Sequence, residues 1–390
     1  MSLVELKNDS ILSDINSQIV KNWFADYLAT GEFDQTKFEL EEINRDEEDK
    51  LIPTRAFYFK ATINDVEYFV KTFHQRQNFV ESELINNNVF DRCEGVRIPT
   101  LHQVLKSDSF SLLVYDYIKG QTLQSYLSDT EATMENSKDD IMLTVLNQSI
   151  ALSLCAEKGN PKTINLAGPA KTPFSTHILN TDFYKKSMEV YEPFAMLKPT
   201  IEDSFPGYIL DRHPRNMIVS NSDVFQTDFE IVGLSSPIFE LTKMLRGGVT
   251  KTYKPAALSS LDNEELIQKS FLELNAFTAE EENAYVDYYF FNRYPEYGSK
   301  ERDLFHYLYT VAAAHSHLNL MNRALVAKKA DPDLNIASSS AMYHLLGYLS
   351  LQANIYNGSE LLNKVVSRDQ IHELNLVTKE IAINFNLAYE

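Results

Sequence analysis

Cys93 and Cys155 are the only cysteines in the chain. Two such residues build no disulfide framework, and their separation matches no metal-ligand spacing, so they are expected to be small buried hydrophobes in a reducing compartment. Long apolar runs are also missing. The longest surrounds Val311 to Ala314 and falls far short of the roughly 20 residues needed to cross a bilayer. The opening stretch, Met1 to Val20, sets Asp and Glu among its apolar positions and lacks the basic start and unbroken apolar centre of a secretory signal. The expectation is a cytoplasmic protein without membrane insertion. Basic charge is scarce as well: 36 Lys and Arg stand against 55 Asp and Glu, a formal charge of -19. Nucleic acid and anionic membranes carry the same sign, so neither is an expected partner, and the balance mildly favours a cationic substrate. No repeat, low-complexity tract or Pro/Gly-rich linker divides the chain.

What is present is the composition of a globular protein, 44% hydrophobic and 23% charged. At 390 residues the chain suits one large two-lobed domain or two domains of ordinary size. Apolar residues at helical spacing (Ile11, Leu12, Ile15, Ile19, Val20, Trp23, Phe24, Tyr27) predict an amphipathic helix that stops at Gly31. The period then changes. Phe38 to Ile43, Ala56 to Ile63, Glu67 to Phe73, Leu101 to Lys106 and Ser109 to Tyr117 are predicted strands, with Asn64-Asp65 as a hairpin turn and a helix from about Asn78 to Arg92. After Gly120 the pattern is mainly helical, with candidates at Asp139 to Glu157, Asp182 to Tyr191, Asn263 to Asn275, Glu280 to Phe291, Leu304 to Lys329 and Ser338 to Tyr356. Met217 to Val232 alone interrupts it with strand character. The expected class is α+β. A helical extension (residues 1–37) precedes a small five-stranded antiparallel lobe with one main helix (38–117) and a large helical lobe (118–390).

The sharpest chemical signal is Asp211-Arg212-His213-Pro214-Arg215-Asn216, followed after a hairpin-like Met217-Ile218-Val219 and Ser220-Asn221-Ser222-Asp223 by Asp228-Phe229-Glu230. Phosphoryl transfer needs a carboxylate beside the acceptor hydroxyl and oxygen ligands that hold magnesium against the phosphates. A hairpin brings Asn216 and Asp228 onto neighbouring strand termini. Asp, four residues, Asn, and a further Asp a dozen or so positions on is the order found in kinases. The acid-aromatic-Glu triplet ahead of Pro237-Ile238-Phe239-Glu240-Leu241 resembles the segment in aminoglycoside phosphotransferases, within the choline kinase-like branch of the protein-kinase-like superfamily.

That resemblance, which covers roughly residues 38–245, implies an ATP-dependent phosphotransferase acting on a hydroxyl of a small molecule, with Mg2+ as cofactor. Asp211 would be the catalytic base, and Asn216 and Asp228 the metal ligands. His213 would reach the transferring phosphoryl, or else be a packed loop histidine. Glu230 would support the loop or meet the acceptor. Lys71 lies on the same strand face as Phe69 and Phe73, and an ammonium on an apolar face needs an anionic partner. By the resemblance that partner is nucleotide phosphate, aided by Glu83 in preference to Glu81. In Val114 to Leu123, similar to the segment that joins the lobes in this family, the Asp116 carbonyl and the Ile118 amide would bind the adenine. Two departures stand out: the stretch Asn44 to Arg55, where kinases carry a Gly-rich hairpin, has no glycine, and Ile209 stands two before Asp211 where His is usual. They motivate the alternative of a pseudokinase or nucleotide-binding scaffold. A kinase acting on a protein is a third reading, although no Ala-Pro-Glu segment follows Asp228.

Overall fold

Runs of alternating apolar and polar residues form strands, and five of these make one antiparallel sheet. The computed structural model describes residues 38–43, 56–63, 65–73, 95–106, 111–128, 137–158, 197–209, 212–228, 233–247, 267, 269, 271–272, 274–330, 333, 335–351, 369, 372 and 376. By internal contacts the chain divides into two units, Met1–Asn88 with Ile98–Lys119, and Val89–Arg97 with Gly120–Glu390.

The first unit holds β1 (Phe38–Glu42), β2 (Ala56–Ile63), β3 (Val66–Phe73), β4 (Leu101–Lys106) and β5 (Ser111–Asp116), in the order β1-β2-β3-β5-β4. All neighbouring strands are antiparallel. Ile63 lies opposite Val66, the register of a hairpin at this point, while Asn64 lies outside the described residues. Asp65 takes the left-handed conformation, φ 67°, which Asp tolerates better than most residues. One sheet face carries buried Phe59, Ala61, Val70 and Val114. On the other, Leu113 and Tyr115 pack with Tyr58, Phe69 and Leu101. The predicted helices at 10–29 and 78–92 lie outside the described residues.

The second unit is helix-rich: α1 (Leu123–Ser128), α2 (Lys138–Lys158), α3 (Lys198–Ser204), α4 (Pro237–Arg246), α5 (Ala279–Arg293), α6 (Ser299–Ala330) and α7 (Asn335–Ser350). Its core joins Val145 and Leu146 of α2, Leu241 and Leu245 of α4, Val286 and Phe290 of α5, Leu308 and Leu325 of α6, and Leu345 and Leu346 of α7. Burying each such side chain contributes about 1.5–3 kcal/mol. α6 and α7 approach closely at Gly347, where a Cβ would stand 2.3 Å from the His317 ring. The α5 start is fixed by a capping box, Thr278 Oγ1 accepting from the Glu281 N–H at 3.2 Å and Glu281 Oε2 accepting from the Thr278 N–H at 2.7 Å. The predicted helix at 182–191 lies outside the described residues.

Strand content in this unit exceeds the one expected hairpin. β8 (Met217–Ser220) and β9 (Asp223–Gln226) form that hairpin, and β6 (Gln121–Thr122) pairs with β8 to make a three-stranded sheet. β7 (Gly207–Ile209) pairs with β10 (Gly233–Ser235). Strands of two or three residues show no alternation, so nothing in the sequence period marks them. Among the described residues no helix is long and apolar enough to cross a membrane.

Candidate active site

The residues expected to carry the chemistry of the second unit fall on the loop after β7 and on the β8–β9 hairpin. His213 caps the 3-10 turn Pro214–Asn216: its Nδ1 accepts from the Arg215 N–H at 3.3 Å, and its carbonyl accepts from the Asn216 N–H at 2.9 Å. An Nδ1 that accepts puts the proton of the neutral ring on Nε2. Pro214 fits the first turn position because it lacks an N–H there.

Asn216 then opens β8. Opposite it, the Thr227 N–H donates to the Asn216 carbonyl at 2.9 Å, extending the Met217–Gln226 pairing by one step. Asn216 and Asp228, twelve positions apart in sequence, thus stand at the same open end of one hairpin. The far end is closed by Asn221-Ser222, with Asn221 at φ 55°. A positive φ at the first turn residue matches the primed turns whose twist suits a hairpin. Amide and carboxylate oxygens are hard donors that fit magnesium, which needs few protein ligands when phosphate and water supply the rest. Among the described residues no three His, Cys, Asp or Glu side chains gather to hold a metal. Asp211, the expected base, lies outside the described residues, as does Glu230.

Polar bonds from several elements fix residues 212–228. The Arg212 N–H donates to Glu240 Oε1 at 3.1 Å. Glu240 is 3% exposed on α4, whose start is set by Pro237 in the first turn and by Ser236 Oγ accepting from the Ile238 N–H. Arg215 Nε donates to Gln124 Oε1 of α1 at 2.7 Å, and Gln226 Nε2 donates to the Asp228 carbonyl at 2.9 Å. The Gln226 N–H donates to the Arg97 carbonyl at 3.0 Å, while the Arg97 side chain pairs with Asp223 at 2.9 Å. Glu240 appears in the sequence only as an acid at a helix start. Its role as a loop anchor becomes visible once α4 is seen to point its first turn at residue 212.

Gly120, like Gly347, has no room for a side chain. A Cβ at Gly120 would lie 2.2 Å from the Val219 carbonyl oxygen, so only glycine lets the chain enter β6 beside β8.

In the first unit, Lys71 is 1% exposed and stands in register between Tyr58 and Leu113. It does not snorkel to water, the ordinary alternative for a strand lysine. Tyr58 stacks on Phe69 on that face at a centroid distance of 5.7 Å. Glu83 and Glu81 lie outside the described residues, as does the glycine-free stretch 44–55. Asp116 ends β5: its N–H donates to the Thr100 carbonyl at 3.0 Å, and its carboxylate meets His102 Nε2 at 2.5 Å. Burial pushes that carboxyl up, but hydrogen bonds from His102 and Thr100 outweigh it and hold it below the usual carboxylate range. Ile118 lies past the last ladder pair, in the irregular residues 117–119. Sequence reasoning missed the Glu67 cluster beside it, where Lys60 at 2.6 Å and Lys119 at 3.0 Å both pair with that carboxylate and Lys60 covers the Tyr117 ring.

No protein-family model matches the chain, and no curated protein is significantly similar to it. Among solved structures it is similar to a thermostable mutant of the aminoglycoside phosphotransferase APH(4)-Ia in ternary complex with AMP-PNP and hygromycin B, at 12% identity and a TM-score of 0.48, over 82% of this chain and 95% of that one. Spectinomycin phosphotransferase APH(9)-Ia, in complex with ADP and spectinomycin, aligns at 12% identity and a TM-score of 0.42 over 89% and 93% of the two chains. A Plasmodium vivax ethanolamine kinase aligns at 10% identity and a TM-score of 0.40 over 84% and 83%. None of these similarities is close enough to transfer an activity.

Proposed function

We propose that the protein is an ATP-dependent phosphotransferase that moves the γ-phosphoryl group of ATP to a hydroxyl of a small molecule. The observation that carries this reading is the hydrogen bond from the Thr227 N–H to the Asn216 carbonyl. It supports the reading because Asn216, five positions after Asp211, and Asp228 then belong to one hairpin end.

In this reading the Asp211 carboxylate orients the acceptor hydroxyl and takes its proton as the new oxygen–phosphorus bond forms. The bond from the γ-phosphorus to the bridging oxygen breaks, and ADP leaves. Asn216 and Asp228 would hold magnesium, which when bound neutralises charge on the transferred group. The Nε2–H of His213 stabilises the phosphoryl oxygens, and Lys71 with Glu83 serves the nucleotide phosphates. The Asp116 carbonyl and Ile118 amide receive the adenine edge.

The test is a magnesium-ATP turnover screen over pooled hydroxylated metabolites with the parent, Asp211→Ala and Asp228→Ala. Both substitutions are expected to lower turnover by at least about 100-fold with the fold retained. Turnover that survives both would remove the site assignment. Nucleotide binding without turnover across broad acceptor pools would select the scaffold reading instead.

A further inference from the structure

Arg212 has the largest of the fully buried side chains among the described residues, at 0% exposure. Its guanidinium is poorly satisfied. Nη2 donates to Gln148 Oε1 at 3.2 Å and lies 3.6 Å from Met217 Sδ, while Nε and Nη1 have no hydrogen-bond partner among the described residues. Each buried unpaired donor costs about 1–3 kcal/mol, and a hydrophobic residue of similar volume is usually no worse in such a place. Stability alone does not account for an arginine here.

Its connections do. Arg212 follows Asp211 in the chain, and its backbone N–H is fixed by Glu240 at 3.1 Å. Its side chain reaches Gln148 of α2, whose Nε2 donates to the Val224 carbonyl of β9 at 2.9 Å. Met217, the other group it touches, directly follows Asn216 and lies opposite Gln226, which holds the Asp228 carbonyl. One buried guanidinium therefore joins the segment bearing the expected base to both strands of the hairpin bearing the expected metal ligands. Burial pulls its pKa below the ordinary arginine range, and the Glu240 carboxylate and Tyr289 hydroxyl oppose that pull. Arginine in a protein stays charged regardless.

We propose that Arg212, acting through Gln148, is a positioning residue of the phosphoryl-transfer centre that fixes the Asp211 loop against the Asn216–Asp228 hairpin. The proposal rests on the phosphotransferase reading above. An arginine suits the task because Nη2 of its rigid planar fork reaches Gln148 and Met217 together, which the single flexible ammonium of a lysine reproduces only in part.

The experiment compares the full-length parent with Arg212→Met, Arg212→Lys and Gln148→Leu. Three quantities are read: folded amount and melting temperature, kcat and KM for ATP with an acceptor from the screen, and Mn2+ affinity in the presence of ADP by electron paramagnetic resonance. Per folded molecule, Arg212→Met is expected to lose about 100-fold in kcat while KM for ATP moves little, and to bind Mn2+ with ADP about 10-fold more weakly. Arg212→Lys recovers part of both losses, and Gln148→Leu shifts both in the same direction as Arg212→Met. Unchanged kcat and Mn2+ affinity per folded molecule, or losses that merely follow melting temperature across the three variants, overturn the proposal. If Arg212→Met does not fold, the other two variants decide by the same readings. A parent that binds Mn2+ and ADP without transferring phosphoryl overturns the phosphotransferase reading alone, because the Mn2+ comparison still tests positioning. A parent that binds neither overturns both.

Discussion

Lys71 and Arg246 pose the same problem at the scale of single residues: a basic side chain with almost no contact with water. Arg246 Nε meets Glu282 Oε1 at 2.5 Å, with side chains only 11% and 5% exposed, and Tyr309 donates to the same carboxylate at 2.6 Å. Burial pulls the arginine's pKa down, yet the charge of Glu282 and its hydrogen bond more than reverse this and hold it above the ordinary range. The acids at the start of α5 look in sequence like a solvated face. Glu280 is exposed, but Glu281 caps the helix and meets Lys138 at 2.5 Å, and Glu282 is buried. Replacing Glu282 with Gln leaves the Arg246 charge buried without its counter-charge. It is expected to lower unfolding stability by about 3–5 kcal/mol, measured as the shift in urea midpoint at constant m-value. Lys71 differs in that the proposed function assigns it to the nucleotide phosphates. Lys71→Met removes the side-chain amine while keeping a similar chain length. The stabilisation conferred by ADP, read as thermal shift, should fall by at least about 1 kcal/mol. A variant that keeps the full ADP shift would take Lys71 out of the nucleotide site.

At the scale of elements, the β8–β9 hairpin is the device that makes two distant residues neighbours, and its turn sets its register. Asn221 is left-handed there, a conformation costing roughly 1–2 kcal/mol for most residues and least for Gly or Asn. Asn221→Gly should be near neutral, whereas Asn221→Val should lose about 1–2 kcal/mol by that cost. Asn221→Val should also lower kcat beyond the loss of folded protein, because twist at the turn reaches Asn216 and Asp228 at the other end. Paired melting and turnover measurements on the two variants check this; equal kcat per folded molecule would uncouple turn from site. The hairpin was legible because two apolar strands flank an Asn-Ser turn between an Asp-four-Asn spacing and a second Asp. β6, β7 and β10 were not legible, since two or three residues carry no period and their pairing depends on which distant segment lies alongside. The same reason hid Gln148: a glutamine inside an amphipathic helix has no sequence mark of burial, and its bonds go to residues 64 and 76 positions away. Arg212 was visible as part of a motif, but its 0% exposure is a property of the helices packed around it.

Across the whole molecule, the alternation that built the first sheet and the helical spacing that built the second unit could be read directly, because both follow from local burial. The titratable groups sealed inside the helix-rich unit could not, and they set how stability depends on pH. His317 and His344, on α6 and α7, face each other with Nδ1 atoms 3.1 Å apart, one donating and one accepting. Burial is the main reason both stay neutral: it lowers His344 to about 3, helped by Arg215, and lowers His317 well below 6.5, helped by His344 and Arg246. His315, against Phe239, is lowered to about 4 by burial and by Lys198. In the unfolded chain each titrates near about 6.5. Above that pH folded and unfolded states bind the same number of protons at these sites, so stability is level. Below it the unfolded state takes protons that the folded state refuses, and stability falls by about 1.4 kcal/mol per pH unit for each histidine until its folded pKa is reached. The decline should therefore begin near pH 6.5, before the carboxylates. Asp287, held below its usual range chiefly by its hydrogen bond from Arg302, and Asp116 add their loss only once the pH has dropped through the unfolded carboxylate range. Urea unfolding of the parent and of His344→Leu at pH 7.5, 6.0 and 5.0 separates the two causes. The variant should show a slope between pH 6.0 and 5.0 shallower by about one histidine's share. Identical slopes would mean that His344 is protonated inside the folded protein, which would contradict its neutral pairing with His317.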